Sequence, residues 1–474
     1  MKYEVKIGIE SHFELLTKSK LFCGCAVEFG KPANTQCCPV CLGLPGSLPV
    51  LNRQAINLAI KAGIATHCDI NSISGMDRKN YFYPDLSKGY QITQQYMPIC
   101  KNGYININNK KIHIDKIHIE EDAGKLVYKG DNILIDYNRC GVPLIEIVSK
   151  PDISSADEAG IYIEKLVDIM RYVGVSDCKM QEGSMRCDVN VSIKKYESNE
   201  DGTRVELKNL NSIKFITKAI EYEVDRQISE LEKGNKIEKE TRRYNELTKK
   251  TEVMRLKENE SDYRYFKDPD LVDFDISKKE IDDIRSKMPE DFDIRFNRYV
   301  KEYGLSVVDA RNLLKYIKVS NYFDEASQKL SNKKIVSNLI LSVFFSHLKT
   351  KEQKLNFNVS IISQELGELC ILVENSKVDL NFAKDAINKA LSTNDNLQKV
   401  LNIKNITKVD QKEIETLCDQ VLSCNEKAIN DYCKGKNQSL QYLIGEVLKL
   451  SKRALTVSLV EKYLKEKLVL ITKK

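Results

Sequence analysis

The chain lacks the usual sequence signs of a nucleotide site. It has no Gly-x-x-x-x-Gly-Lys-Ser/Thr segment, and no Gly-x-Gly-x-x-Gly follows a strand pattern. Neither a phosphate-cradling loop nor a dinucleotide crevice is therefore expected, and any ATP site has to be built on a sheet surface. The Ser/Gly-rich signature of amidases and the Ser-His-Asp arrangement are also missing, so the chain is not expected to hydrolyse glutamine itself. No apolar run approaches the roughly 20 residues that span a bilayer. The stretch Met1-Lys2-Tyr3-Glu4-Val5 runs straight into a strand-like pattern, with no signal or transit peptide, which places the expected location in the cytoplasm or an organelle matrix. Tryptophan is absent, which carries no functional message.

What is present fits a multidomain globular protein. At 474 residues the chain exceeds one ordinary domain and is expected to split into two or three. A net charge of +6 permits an anionic partner without demanding one. The 14 cysteines do not have the spacing of a disulfide framework. Single ones such as Cys178, Cys187 and Cys370 lie in apolar stretches and read as small buried hydrophobes.

Hydrophobic periodicity divides the chain. Tyr104–Asn108 and Lys111–Asp115 alternate with period two around Asn108-Asn109 and read as a hairpin; Asn132–Asp136 and Pro143–Val148 also read as strands. Ser155–Val173 and Ile213–Lys233 have helical spacing, and Ser277-Lys278-Lys279-Glu280 has the spacing of a capping box. Beyond about residue 290 the periodicity is almost wholly helical. The fold class expected is α+β, with a mainly antiparallel sheet followed by helices. The domains expected are 1–290, a helical domain 291–405 and a helical tail 406–474. In the tail, Leu440, Leu443, Ile444, Val447 and Leu448 fall on one face, and Lys449, Lys452 and Arg453 form a basic stripe after it.

Two motif groups carry chemistry. Cys23-Gly24-Cys25 is followed, after 12 residues, by Cys38-Pro39-Val40-Cys41, which suits a tetrahedral zinc site with no open position and hence a structural role. Cys37 is an extra neighbour that could compete as a ligand. The second group is acidic and basic at once. Glu10 and His12 share a strand face, Glu120-Glu121-Asp122 adds oxygens, and Glu146 sits on a later strand. One imidazole among carboxylates is tolerable for Mg²⁺ and better for Mn²⁺; a solvated face is the plain alternative. These acids alternate with Arg78, Lys79, Lys88, Arg139, Arg186 and Lys208, and phosphoryl transfer needs both signs. His67, His113, His118 and His347 read as structural or exposed, and Lys233–Arg243 as a solvated helix end and loop.

Read together, these segments resemble the B subunits of the bacterial and organellar tRNA-dependent amidotransferases. The resemblance runs from Val5-Lys6-Ile7-Gly8-Ile9-Glu10 through Asp77–Asp85, Glu120–Lys125, Asp136–Arg139, Gln181–Arg186, Val205–Ser212 and Glu240–Arg243 to Asp262–Phe266, and more loosely to Asp431–Lys436. It implies a cradle domain like that of glutamine synthetase and guanidino kinases, then a helical domain and a tail that grips tRNA. It implies ATP- and Mg²⁺-dependent phosphorylation of the side-chain carboxylate of misacylated glutamyl-tRNA(Gln) or aspartyl-tRNA(Asn). Ammonia from an amidase (glutaminase) partner, the A subunit, then displaces phosphate, and a small C subunit completes a heterotrimer. By matching motif, the resemblance implies His12, Glu121 and Glu146 as magnesium ligands, with Glu10 and Glu120 near. Lys79, Lys88, Arg139 and Arg186 become phosphate or channel contacts, and Lys449, Lys452 and Arg453 contacts to tRNA backbone. The chain departs from the family pattern at Glu14 (usually Gln), Ser87 (usually Pro, so a looser loop is expected) and Cys140 (usually small). It also lacks the tail glycine and proline around 451–456.

Two other readings stay open on sequence: a non-catalytic tRNA-binding member of the same complex, and a free-standing ligase acting on free glutamate. The basic helical tail argues against the second.

Overall fold

The computed structural model describes residues 3–198, 200–256, 260–401, 411–433, 436–451 and 457–472. Its chain forms two compact units, 1–292 and 293–474.

The first unit carries all the strands found among the described residues. In chain order these are β1 (Tyr3–Glu14), β2 (Asp69–Ile70), β3 (Ile73–Ser74), β4 (Asp77–Asn80) and β5 (Tyr90–Thr93). Next come β6 (Cys100–Ile107), β7 (Lys110–Glu121), β8 (Lys125–Lys129), β9 (Asn132–Asp136), β10 (Pro143–Ser149) and β11 (Met185–Lys195). The last are β12 (Val205–Lys208), β13 (Glu240–Asn245), β14 (Lys250–Leu256), β15 (Phe266–Lys267) and β16 (Phe274–Asp275). Four helices accompany them: α1 (Arg53–Ala65), α2 (Ala156–Tyr172), α3 (Ile213–Glu232) and α4 (Lys278–Ser286).

Nine strands form one sheet in the order β14-β13-β12-β11-β1-β10-β7-β6-β2. Every pairing in it is antiparallel except β12 with β13. The β6–β7 hairpin turns at Asn108 and Asn109, whose φ values are +44° and +65°. Asparagine tolerates that left-handed geometry, and it matches the twist of the flanking strands.

Strand alternation splits the sheet into two chemically different faces. Ile7, Ile9 and Phe13 of β1, Ile145 and Ile147 of β10, and Val189 and Val191 of β11 are buried. Helices α1, α2 and α3 pack on these strands and their neighbours. Helix α2 starts where the Ser155 side chain accepts from the Glu158 amide, and α3 where Ser212 accepts from Phe215. The intervening strand residues carry charges and face the other way. At α4 only half of the expected capping box forms: Ser277 accepts from the Glu280 amide. The Glu280 carboxylate reaches out to Arg53 instead of back to the cap.

Among its described residues the second unit is helical. Tyr299, Leu313, Phe323, Leu339 and Phe344 are buried in it. Helices Gln411–Cys424, Glu426–Cys433, Asn437–Leu450 and Val457–Thr472 share a core of their own. Leu440, Leu443, Ile444 and Val447 are buried in that core and Leu448 partly so, as the helical spacing requires. The boundary expected near residue 405 lies outside the described residues. No described helix is long and apolar enough to cross a membrane.

Candidate functional site

The polar face of the nine-stranded sheet gathers charge because its register aligns it. Across β11, β1, β10 and β7, Arg186 stands opposite His12, His12 opposite Glu146, and Glu146 opposite His118. One row away, Glu10 stands opposite Asp188. On the other side, Glu14 and Glu120 flank Leu144. Side chains directly opposite each other point to the same face, so residues scattered from position 10 to 206 share one floor.

At its centre, His12 Nε2 lies 3.3 Å from Glu120 Oε1 and 3.2 Å from Glu146 Oε2. Possible ligand atoms of these three residues lie within 4.8 Å of one another. Burial works against charge on His12, but Glu146 and Glu120 outweigh it and lift its pKa well above the ordinary value. Glu146 and Glu120 are held below the carboxylate range despite burial, Glu146 by His118 and His12 and Glu120 by hydrogen bonds from the same two. Imidazole nitrogen and carboxylate oxygen converging on one point are a fitting donor set for a divalent cation such as Mg²⁺ or Mn²⁺.

A second acidic group adjoins the first. Glu10, Asp188 and Glu206 offer oxygens within 4.8 Å of one another. Burial raises the Glu10 pKa, and Glu146, Asp188 and Glu206 raise it further. Lys208 pairs with Asp188 and sits 3.4 Å from Glu206. Asn190 donates to Glu10 Oε1 at 2.9 Å, and Thr241 donates to Glu206 Oε2 at 2.9 Å.

Cationic side chains flank this floor. Arg186 and Arg139 grip the two oxygens of buried Asp122, at 2.7 and 3.2 Å. Lys79 lies over the Tyr263 ring at 4.8 Å. All three line the cleft that holds His12, Glu120 and Glu146. Glu14, where the family pattern has glutamine, is pushed up to about 7 by burial and by Asp122, against the pull of Arg139 and Arg186.

Glu121 is not part of this floor: the β7 acid that converges with His12 and Glu146 is Glu120, not the expected Glu121. Neighbouring residues on β7 face opposite sides of the sheet, and Glu121 opposes Pro143 on β10, not a charged residue. Its carboxylate takes Lys88 Nζ at 2.5 and 2.7 Å and the Ile92 amide at 2.9 Å. Lys88 is drawn away with it, into a separate cavity that Lys20, Cys41 and Tyr90 also line. Lys88 therefore stands apart from Lys79, Arg139 and Arg186.

His118, expected to be structural or exposed, is 6 % exposed and reaches Glu146 Oε2 at 3.2 Å, which places it beside the centre. Asp188 and Glu206 escaped the sequence reading, and Asp122, expected to add an oxygen to the acidic group, pairs with Arg139 and Arg186. The signal for Asp188 and Glu206 was available: Arg186 and Asp188 alternate with buried Met185, Cys187 and Val189, and Glu206 with Val205 and Leu207.

The four cysteines Cys23, Cys25, Cys38 and Cys41 place their sulfurs within 4.8 Å of one another, a geometry open to a structural zinc ion. Cys37 is outside the group and points to Asn138 Oδ1 at 3.8 Å. Hydrogen bonds, first from Cys23, pull the Cys41 thiol down to about 4 against its burial. Two departures from the family pattern meet here. Ser87 donates to the Cys41 carbonyl at 2.7 Å and lies 3.4 Å from Cys140 Sγ, which itself points to that carbonyl at 3.3 Å. Ser87 thus ties its loop to the knuckle instead of loosening it.

The stretch Lys233–Arg243 is not wholly solvated. Its last residues form β13, where Glu240, Thr241 and Arg242 are buried. In the tail, Lys449 is exposed and pairs with Glu446 at 2.5 Å. Lys452 and Arg453 lie outside the described residues, as does most of the departure at 451–456.

Comparison with known proteins gives the assignment. Residues 5–282 match the model of the GatB/GatE catalytic domain, and residues 321–468 match the GatB domain. The chain belongs to the B-subunit family of tRNA-dependent amidotransferases. The B subunit of the aspartyl/glutamyl-tRNA(Asn/Gln) amidotransferase of Caldanaerobacter subterraneus subsp. tengcongensis is 46% identical, over 99% of this chain and 100% of that protein. B subunits of the same name from Thermoanaerobacter sp. strain X514 and Clostridium kluyveri are 45% and 43% identical, each over 99% of this chain and at least 99% of the relative. As an amidotransferase B subunit, the chain has its catalytic-domain match centred on the sheet that carries the charged floor.

Proposed function

We propose that this chain is the activating subunit of an amidotransferase that converts misacylated glutamyl-tRNA(Gln), aspartyl-tRNA(Asn) or both. The observation that carries the reading is the convergence of His12, Glu120 and Glu146 with Lys79, Arg139 and Arg186 in one cleft. The relatives' name supplies the substrate class.

The reaction has two steps. A side-chain carboxylate oxygen of the esterified amino acid attacks the γ-phosphorus of ATP, and ADP leaves. Ammonia then attacks the acyl carbon, and phosphate leaves as the amide forms. His12, Glu120 and Glu146 would hold a divalent ion, which would supply charge stabilisation for phosphoryl oxygens. Arg139 and Arg186 are already aligned by Asp122, so their positive charge is preorganised for an anionic substrate. Glu10, Asp188 and Glu206 with Lys208 form an adjoining region of mixed charge that can take a second cation beside the phosphates.

The Ser/Gly-rich amidase signature is missing from the sequence, so we assign ammonia production to an amidase partner (the A subunit), with a small C subunit completing a heterotrimer. The helical tail, with Lys449, Lys452 and Arg453, would meet tRNA backbone by charge and shape. Zinc at the four cysteines would be structural.

The test is ADP release by the complex reconstituted with both partner proteins. ADP formed with a tRNA charged with Glu or Asp but not with uncharged tRNA, and lost in His12→Ala, supports the reading and identifies the substrate. Turnover unchanged in His12→Ala would instead leave this chain as a tRNA-presenting component.

A further inference from the structure

His118 is buried beside the centre just described, and nothing in the core explains its chemistry. It lies on β7 two residues before Glu120, so both side chains face the polar floor. Its Nε2 is 3.2 Å from Glu146 Oε2 and 3.6 Å from Glu120 Oε2. His12 approaches the same Glu146 oxygen at 3.2 Å. Because β10 runs between β1 and β7, the two imidazoles flank Glu146 from opposite neighbouring strands.

The other nitrogen of His118, Nδ1, is buried without a hydrogen-bond partner. An unpaired buried polar atom costs free energy. A phenyl or leucyl side chain would fill the same space without that cost, so the interaction at Nε2 has to offset it. Two adjacent carboxylates repel each other and, unheld, would turn apart. His118, reaching Glu120 Oε2 and Glu146 Oε2 together, leaves Glu120 Oε1 turned toward His12 and holds Glu146 Oε2 between the two imidazoles.

We propose that His118 is a positioning residue for the metal centre, its Nε2 holding Glu146 and Glu120 so that Glu146 Oε2 and Glu120 Oε1 converge with His12 Nε2 on one cation. This rests on the metal reading under the proposed function. Partners of this kind behind ligating groups change metal affinity by about 10–100-fold when removed.

The experiment is Mn²⁺ titration of the full chain, zinc-loaded, followed by electron paramagnetic resonance, with pulsed measurements reporting imidazole nitrogen coupled to the manganese. Wild type is expected to bind Mn²⁺ with the nitrogen signature of one histidine, and His12→Ala to lose that signature. His118→Leu is expected to bind roughly 10–100-fold more weakly with the signature retained. His118→Gln, which places an amide N–H near the Nε2 position, is expected to recover most of the affinity. His118→Asn, whose shorter side chain cannot reach, is expected to behave like the leucine variant and serves if that one does not fold. Affinity unchanged in His118→Leu and His118→Asn overturns the proposal. Equal weakness in the Gln, Leu and Asn variants also overturns it, because packing and not the donor would then matter. A wild-type spectrum with two coupled imidazoles, falling to one in His118→Leu, makes His118 a ligand and overturns the positioning role. Wild type with no nitrogen-coupled manganese overturns the metal reading itself, an outcome distinct from the others.

Discussion

Lys20 sets its ammonium 3.6 Å from Cys41 Sγ, and its side chain is fully buried. The same nitrogen donates to the carbonyls of Gln36 at 2.8 Å and Tyr137 at 3.3 Å. A zinc ion held by four thiolates leaves the cluster with excess negative charge, and a buried ammonium beside one sulfur offsets it. Lys20→Met is therefore expected to weaken zinc retention by roughly 10–100-fold. Competition with a chromophoric chelator measures this. Zinc release at the wild-type rate would show that Lys20 serves only the two carbonyls.

Zinc removal should be felt well away from the cysteines. The loop between the cysteine pairs is laced to the turn at 136–139. Asn34 accepts from the Tyr137 amide at 2.7 Å, and Asn138 Oδ1 accepts from the Gln36 amide at 2.8 Å. That turn carries Arg139, whose guanidinium holds Asp122 and the carbonyls of Ala123 and Gly124. Chelation is expected to raise amide hydrogen exchange across 34–41 and 136–141 together while leaving α2 protected. Faster exchange confined to 23–41 would mean that the knuckle and the turn are mechanically independent.

The tandem acids of β7 separate into two functions that one pair of variants distinguishes. Glu120→Gln removes a carboxylate from the polar floor and is expected to weaken Mn²⁺ binding at the His12 centre at least tenfold, on the scale of a lost metal ligand or its close support. Glu121→Gln is expected to leave that binding intact. It leaves buried Lys88 with a neutral partner, so a stability loss of about 1–3 kcal/mol is expected in denaturant unfolding. The opposite pattern would mean that β7 is out of register by one residue.

This pair also shows where the sequence was readable and where it was not. The N-terminal strand, the strands at 104–115, 132–136 and 143–148, the α2 and α3 boundaries and the Asn108-Asn109 turn follow from local periodicity and capping, whereas β2–β5, β8 and β11–β16 were not expected, and the two-unit division lies close to the change of pattern near 290. The cysteine cluster follows from spacing alone. In contrast, Glu120-Glu121-Asp122 names a motif without naming its inward face. Which acid meets His12 is decided by the pairing of β7 with β10, a contact between residues about 25 positions apart. His118 was missed because a lone histidine on a strand has no local partner to betray it. The buried role of Arg242 was missed because, beside its neighbour Glu240 on the same strand, its partners come from α3 and β14.

That arginine belongs to a buried network centred on Glu223, which is 0 % exposed. Glu223 accepts from Arg226 at 2.6 Å, Gln227 at 2.9 Å and Thr251 at 2.9 Å, and Arg242 lies 3.5 Å away. Glu223→Ala removes one of two anions that Arg226 and Arg242 share and leaves them Glu240, and breaking such a buried pair from one side costs up to about 3–5 kcal/mol. Because Glu206 is bonded to Thr241 on the same β13 strand, loosening β13 should also weaken cation binding at Glu10, Asp188 and Glu206. Denaturant unfolding gives the first quantity and Mn²⁺ titration the second. Loss of stability with unchanged cation binding would confine the network to a packing role.

Glu158 provides a pH-dependent lock between the β6–β7 hairpin and helix α2. Burial raises its pKa, but the Ser154 amide and hydroxyl and Lys110 outweigh this and leave it below the ordinary value. Its Oε2 takes the Ser154 amide at 2.8 Å and Lys110 Nζ at 2.9 Å. A carboxyl whose folded pKa is depressed stabilises the fold above its unfolded pKa, and the contribution disappears as pH falls through the folded pKa. Glu158→Gln is therefore expected to be less stable than wild type at neutral pH by roughly 0.5–1.5 kcal/mol. The gap should begin to close as pH falls past the unfolded glutamate pKa of about 4.3 and vanish only below the lower folded pKa. Denaturant unfolding of both at neutral and acid pH measures the gap. A gap that stays constant with pH would mean that the glutamine differs in packing or hydrogen-bond geometry, and not in charge.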